Sequence, residues 1–135
     1  MYGLVGSDER LLVVRDRDAT AFRLPGGLVR PGESVESALR RTLREQIDVG
    51  VGQVDFCAAV ELCDHAAPQG PAVYELALLF DVTLADPDAA WTSEHEMRWV
   101  TDDDLQQIKL RPAKITDQLR SGALTAERPW WPSRP

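Results

Sequence analysis

A chain of 135 residues is the size of one domain with one real core, which excludes a second folded domain. Hydrophobic residues make up 44% and charged residues 27%, ordinary globular usage that excludes a disordered or collagen-like chain. A formal net charge of −7 disfavours a sequence-independent grip on duplex nucleic acid, while a local cationic patch can still hold a small anion. The longest apolar runs, such as Leu11 to Val14 and Leu76 to Phe80, fall far short of the ~20 residues a membrane span needs. No signal-peptide apolar region follows Met1, so the expected location is cytoplasmic. Cys57 and Cys63 fall in one strand-like segment, where six residues of extension hold them ~20 Å apart, too far for a disulfide.

In chain order, Tyr2 to Val5 and Leu11 to Val14 read as strands joined by a turn at Ser7-Asp8. Phe22-Arg23-Leu24 is a further extended piece, cut off by Pro25-Gly26-Gly27, which cannot sit inside a helix or a central strand. The loop that starts there runs to Ser34, a good N-cap for an amphipathic helix over Val35 to Ile47. Val35, Ala38, Leu39, Leu43 and Ile47 form its apolar stripe. Val54 to Leu62 and Tyr74 to Leu84 alternate as two strands of a hairpin whose connection, Asp64 to Pro71, is broken by Pro68, Gly70 and Pro71. Met97 to Val100 reads as a short strand. Thr101 caps a helix over Asp102 to Ile108, and Pro112 opens another that runs to about Ser121 and stops at Gly122. The expected organisation is a domain over residues 1–122 and an extended tail over 123–135.

Charge is unevenly spread. Residues 10–44 hold eight arginines against four acids, and residues 81–104 hold eight acids against Arg98 alone. Solvated faces explain both blocks; the alternative is that the first faces an anion and the second supplies metal ligands.

The loop and helix together carry the one specific pattern. Leu24-Pro25-Gly26-Gly27 is followed, after five residues from Gly27, by Glu33 and, after seven more, by Arg41, with Leu43, Glu45 and Val49 beyond. This resembles the box of the Nudix (MutT-like) hydrolase family, G-x5-E-x7-R-E-U-x-E-E-x-G-U with U a bulky aliphatic, at six of its nine fixed positions. The flanks agree, including the hairpin after the box and Glu94-His95-Glu96-Met97-Arg98-Trp99-Val100 ahead of an acidic helix. The resemblance runs from Leu11 to about Leu119 and implies an α/β fold, the family's α/β/α sandwich around a mixed sheet. It also implies divalent-metal-assisted attack of water on a diphosphate, with Mg²⁺ or Mn²⁺ as cofactor and a small nucleotide or diphosphate as substrate. In those terms Gly27 offers its carbonyl and Glu45 its carboxylate to the metal, while Gly26, Gly27, Glu33 and Arg41 shape and brace the loop. Glu33 and Arg41 form the supporting ion pair, and a homodimer is compatible with the family's habits.

Three positions depart from the box. Thr42 and Gln46 stand where two helix glutamates belong, and Asp48 replaces a glycine. Each lost carboxylate removes several kcal/mol of attraction to a cation at ~4 Å and an effective dielectric of ~20, so a weak metal site is expected. Glu94 and Glu96 are the candidates to supply the missing ligand or base, with His95 between them and Glu61 and Glu75 on the hairpin as further acids. Two readings stay open: a weakly active metal-dependent hydrolase of a nucleoside diphosphate linked to another moiety, and a non-catalytic module that binds a nucleotide or a protein. Trp130-Trp131-Pro132 reads as a latch or dimer contact that hides both rings, His65 as an exposed loop residue, and Trp91 as a stacking or lid residue.

Overall fold

The computed structural model describes residues 1–64, 73–89, 95–121 and 128–132. Strands β1 (Tyr2–Ser7) and β2 (Arg10–Asp16) form the expected first hairpin, followed by the short β3 (Phe22–Arg23) and by helix α1 (Val35–Ile47). Strands β4 (Val51–Asp64) and β5 (Val73–Leu84) form the long hairpin, and β6 (His95–Val100) leads to helix α2 (Asp102–Leu105). Strand β7 (Leu110–Arg111), helix α3 (Ala113–Ser121) and strand β8 (Trp130–Trp131) complete the order.

The strands form one mixed sheet in the order β7-β3-β2-β1-β5-β4-β8, with β6 paired to β2. The β1/β5, β3/β7 and β4/β8 pairs are parallel and the other pairs antiparallel. Period-2 alternation sorts β2 across the sheet: Leu12 and Val14 face α1, and Val13 faces the other side. Each face therefore needs cover. On one, α1 places Ala38, Leu39, Leu43 and Ile47 against Val5, Leu12, Val14 and Val82. On the other, Ile115 of α3 and Leu105 of α2 cover Val13, Leu24, Val60 and Leu79. The arrangement is the α/β/α sandwich expected from the sequence.

Helix α1 has the bounds its stripe predicts because both ends are chemically marked. The Ser34 hydroxyl accepts from the Ser37 amide at 3.2 Å, and Asp48 turns left-handed at φ 46° while its N–H reaches the Arg44 carbonyl. Burying Leu39, Leu43 and Ile47 stabilises the packed helix by about 2 kcal/mol each, far more than a helix of this length gains alone.

Four expectations are corrected in detail. The helix after Thr101 stops at Leu105 rather than at Ile108, although Thr101 and Asp104 form a reciprocal capping box as its start. Strand β6 begins at His95, two residues early, because β2 pairs with it all the way to Asp16. Strand β7 was not anticipated; its backbone is fixed by Phe22 and Leu24 amides donating to the Lys109 and Arg111 carbonyls. Trp130 and Trp131 join the sheet beside Ala59 and Val60; Trp131 packs on the α3-side core while Trp130 stays 52% exposed, so the segment hides one ring and not both. The Lys114 ammonium holds that segment by donating to the carbonyls of Glu61 (2.8 Å), Trp131 (3.3 Å) and Pro132 (2.7 Å). The connection Asp64 to Pro71 lies, beyond Asp64, outside the described residues. Cys57 and Cys63 are both free thiols, and no described helix is long and apolar enough to cross a membrane.

Candidate functional site

The loop between β3 and α1 is anchored at its first turn against β1. Gly26 forms an isolated bridge with Tyr2, the Gly3 amide donates to the Pro25 carbonyl at 2.8 Å, and the Gly27 amide donates to the Met1 carbonyl at 3.1 Å. The Gly27 carbonyl, the proposed metal donor, accepts from the Met1 amino nitrogen at 2.9 Å. A side chain at Gly26 has no room: an added Cβ falls 2.1 Å from the Met1 carbonyl oxygen. Farther along, Gly32 takes φ +84°, the left-handed conformation that turns the chain toward Glu33.

Arg41 closes the far side of the loop. Its Nε and Nη2 donate to the two Glu33 carboxylate oxygens at 3.1 and 2.7 Å, a two-pronged pairing that matches the planar guanidinium to the planar carboxylate. The same guanidinium donates to the Leu28 carbonyl at 3.2 Å and to the Glu45 carboxylate at 3.3 Å. The Arg30 amide adds a further donor to Glu33 at 2.9 Å. The Arg41 hydrogen bonds first, and the Arg30 amide second, hold the Glu33 carboxyl down at about 2. A carboxyl that titrates lower folded than unfolded adds stability that is fully present above the unfolded value near 4.5 and is lost as pH falls toward 2. Glu33→Gln is therefore expected to unfold at a lower temperature than wild type at pH 7. Melting curves across pH 7 to about 2 should show that gap closing below about 4.5; a pH-independent gap contradicts the pairing.

The two substituted box positions have structural partners. Gln46 meets Gly26 with both ends of its amide: Oε1 accepts from the Gly26 N–H at 3.1 Å and Nε2 donates to the Gly26 carbonyl at 2.8 Å. A glutamate could make only the first of these bonds, since a carboxylate at neutral pH has no proton to donate. The Thr42 hydroxyl donates to the Ala38 carbonyl at 2.7 Å, one turn back, and the residue is 5% exposed. Its methyl is turned to the loop, 3.2 Å from where a Gly27 Cβ would stand.

This donor set is poorer than the box presents in its family: one helix carboxylate, Glu45, stands where three glutamates would. Mg²⁺ wants hard oxygens in near-octahedral array with one or two carboxylates. Glu45, the surviving helix carboxylate, is 55% exposed and gives an oxygen to Arg41. The Gln46 oxygen is taken by Gly26, and the Thr42 oxygen is buried against its own helix. Among the described residues no three His, Cys, Asp or Glu side chains gather into a metal-holding group.

Glu94, the other proposed carboxylate, lies outside the described residues, as do Trp91 and His65. Glu96 is placed apart from Glu45. It sits opposite Arg15 in the β2/β6 register and pairs with Arg15 and, at 3.5 Å, with Arg98. Alternation puts these three side chains on the face away from α1. There the Arg15 and Arg98 guanidiniums lie 4.7 and 5.0 Å from the centre of the Phe22 ring. His95 reaches Asp16 at 3.1 Å, and Asp16 in turn pairs with Arg23 at 3.0 Å. The structure thus brings together Gly26, Gly27, Glu33, Arg41 and Glu45, and places Glu96 in a separate ion-pair group across the sheet. The paired arginines over Phe22 are the feature that sequence reading missed. Arg15 lies in β2, Phe22 starts β3 and Arg98 lies in β6, so only strand register unites them.

Comparison with known proteins agrees with this architecture. The NUDIX domain family matches residues 1–119. The nucleoside triphosphatase NudI of Enterobacter sp. (strain 638) is 30% identical over 109 residues, covering 76% of this chain and 77% of that protein. The NudI of Escherichia fergusonii is 31% identical over 98 residues, covering 68% and 70%. Among solved structures, a NUDIX hydrolase from Nitrosomonas europaea superposes with a TM-score of 0.74 at 18% identity, covering 95% of this chain and 89% of that one. Nudix hydrolases act on small nucleotide substrates and generally use divalent metals. With the loop and helix of the box in place and two of its carboxylates exchanged for neutral side chains, this chain belongs to the Nudix hydrolase family.

Proposed function

We propose that this chain binds a nucleoside polyphosphate, of the triphosphate class for which its NudI relatives are named, and hydrolyses it slowly, with binding that does not depend on a divalent metal. The observation that carries this reading is the pair of hydrogen bonds between the Gln46 amide and Gly26. A neutral lock keeps the loop in the shape that suits phosphate, with backbone free to approach a ligand at the glycines, without the dense negative charge that needs a cation to balance it. The weakly active hydrolase and the nucleotide-binding module of the sequence reading differ on this account in rate and not in architecture.

Calorimetric titration with a nucleoside triphosphate and with ADP-ribose, each in Mg²⁺ and in EDTA, tests the proposal. The expected result is binding whose affinity differs by less than about threefold between the two conditions, that is, by less than about 0.7 kcal/mol. An increase of more than about tenfold with Mg²⁺, together with rapid turnover abolished by Glu45→Gln, overturns it.

A further inference from the structure

We propose that the face of the sheet that α1 leaves bare, across β5, β4 and β8, is the contact through which two copies of this chain pair. Leu76 to Phe80 is apolar without a break, the pattern of a strand covered on both sides. The structure covers one side only. Toward α3, Ala58, Val60, Ala77 and Leu79 are buried in the core. Toward α1, the helix reaches Val82 and Leu84 of β5, and beyond them Phe56, Leu76, Tyr74 and Trp130 are between 52% and 66% exposed.

Register gathers these four side chains. Phe56 stands opposite Phe80, the ring centres 5.7 Å apart and edge to face. Alternation along β5 puts Leu78, Leu76 and Tyr74 on the same side as Phe80, and the parallel pairing of β8 puts Trp130 beside Ala59, itself opposite Leu78. At these exposures the patch, three strands wide, offers roughly 400–500 Å² of apolar surface, the size of the patches through which chains make contacts. Two copies face to face remove about 1,000 Å² from water through the patch alone, the threshold of a specific interface before the rim is counted.

Charge selects the partner. Two chains of net charge −7 repel wherever their acids meet. Among the described residues of these strands that turn toward α1, Glu61 is the one charged side chain, so like can meet like there. Those strands offer no base to an acidic partner or to an anionic membrane, whereas aromatic rings without charge are what the centre of a homodimer contact carries. Edge pairing is a poorer route, because β8 at the outer edge has two residues. None of Gly26, Gly27, Glu33, Arg41, Glu45 and Gln46 lies on these strands, so the inference stands whether or not the box binds nucleotide.

The test is sedimentation velocity on the full chain over a range of concentrations. The expected result is a monomer at about 1 µM and a dimer at about 200 µM, a Kd that suits an interface near the lower size limit. Leu76→Glu, at a position more exposed than buried, should keep the wild-type Tm and raise Kd at least about 30-fold, because two-fold symmetry buries the new charge twice. Tyr74→Glu should do the same, independently of any local effect at Leu76. Gln107→Glu, which adds an equal charge at an exposed position just after α2, should leave the dimer intact. A wild-type chain that is monomeric at about 200 µM overturns the proposal; capture of vesicles or of a foreign protein by the patch would then assign it to another occupant. A dimer untouched by Leu76→Glu and Tyr74→Glu also overturns it, since the contact then lies elsewhere. So does a dimer weakened equally by Gln107→Glu, since net charge alone would then control pairing.

Discussion

Thr42→Glu/Gln46→Glu, which restores the two missing carboxylates, should make the protein less stable without metal and strongly responsive to it. The cost has two parts. At position 46 the carboxylate keeps the bond from the Gly26 N–H but faces the Gly26 carbonyl acceptor to acceptor, losing the 2.8 Å bond that Nε2 makes. At position 42 a charge enters a residue that is 5% exposed, against the loop backbone at Gly27. An unpaired polar or charged group in such surroundings costs about 3 kcal/mol in total, which for a domain of this size lowers Tm by roughly 10 °C. A divalent ion reverses the sign: it pairs with both new carboxylates, and at about 100 times its Kd returns about 2.7 kcal/mol. Melting curves with Mn²⁺ and with EDTA are expected to separate by roughly 8–10 °C for the double variant and to coincide for wild type. Hydrolysis of a nucleoside triphosphate should rise by about 100-fold or more. A wild-type melting curve that itself shifts strongly with metal would mean that Glu45 and acids elsewhere already form a site.

What the sequence makes legible follows the range of the physics behind each feature. Helix α1 is bounded by a stripe of period 3.6 and a serine cap, both local, and it is found where they put it. The Glu33–Arg41 pair, which the resemblance to the box implies, joins the end of the loop to the second turn of α1 and is found as a two-pronged pairing. Strands β7 and β8 have two residues each, too few for any period to show, and exist because β3 and β4 present free edges to them. Glu96 reads as a candidate ligand because it is acidic and near the box in the family's order; register across β2 and β6, invisible in one sequence, gives it to Arg15 instead. Gln46 is the most instructive case. Read against the box it is a lost carboxylate. In the fold it is a side chain twenty residues from Gly26 that satisfies both backbone groups of that glycine. Its meaning depends on having a donor as well as an acceptor, a distinction that a motif written in glutamates does not contain.

The same glycine is the site of the largest expected loss of stability from a single substitution. Gly26→Ala puts a methyl 2.1 Å from the Met1 carbonyl oxygen and 2.9 Å from the Tyr2 Cα, both backbone atoms of a strand paired in the sheet. Neither can rotate away as a side chain would, so the loop itself must lift off β1. Lifting it breaks the two bonds of the Tyr2 bridge, from Gly3 to Pro25 and from Gly27 to Met1, and both Gln46 bonds. At about 1 kcal/mol for each net hydrogen bond lost, the cost is roughly 3–4 kcal/mol, or a fall in Tm of more than 10 °C. Gly27→Ala is the graded comparison. Its Cβ meets the Thr42 methyl at 3.2 Å, a contact that a small shift of the helix relieves, for about 1 kcal/mol. Gly50→Ala is the control: nothing lies within 4 Å of its Cβ and its φ is ordinary, so the smaller freedom of the unfolded chain should leave it unchanged or stabilise it by about 0.4–1 kcal/mol. The three variants should therefore melt in the order Gly26, Gly27, Gly50, and nucleotide affinity should fall in the first. Two substitutions test whether the lock or the clash dominates: Gln46→Ala, which removes the lock alone, should cost about 2 kcal/mol, less than Gly26→Ala, which removes the lock and the packing beneath it. Equal costs would place all the stabilisation in the amide, and a Gly26→Ala protein as stable as wild type would mean that the loop does not rest on β1 at all.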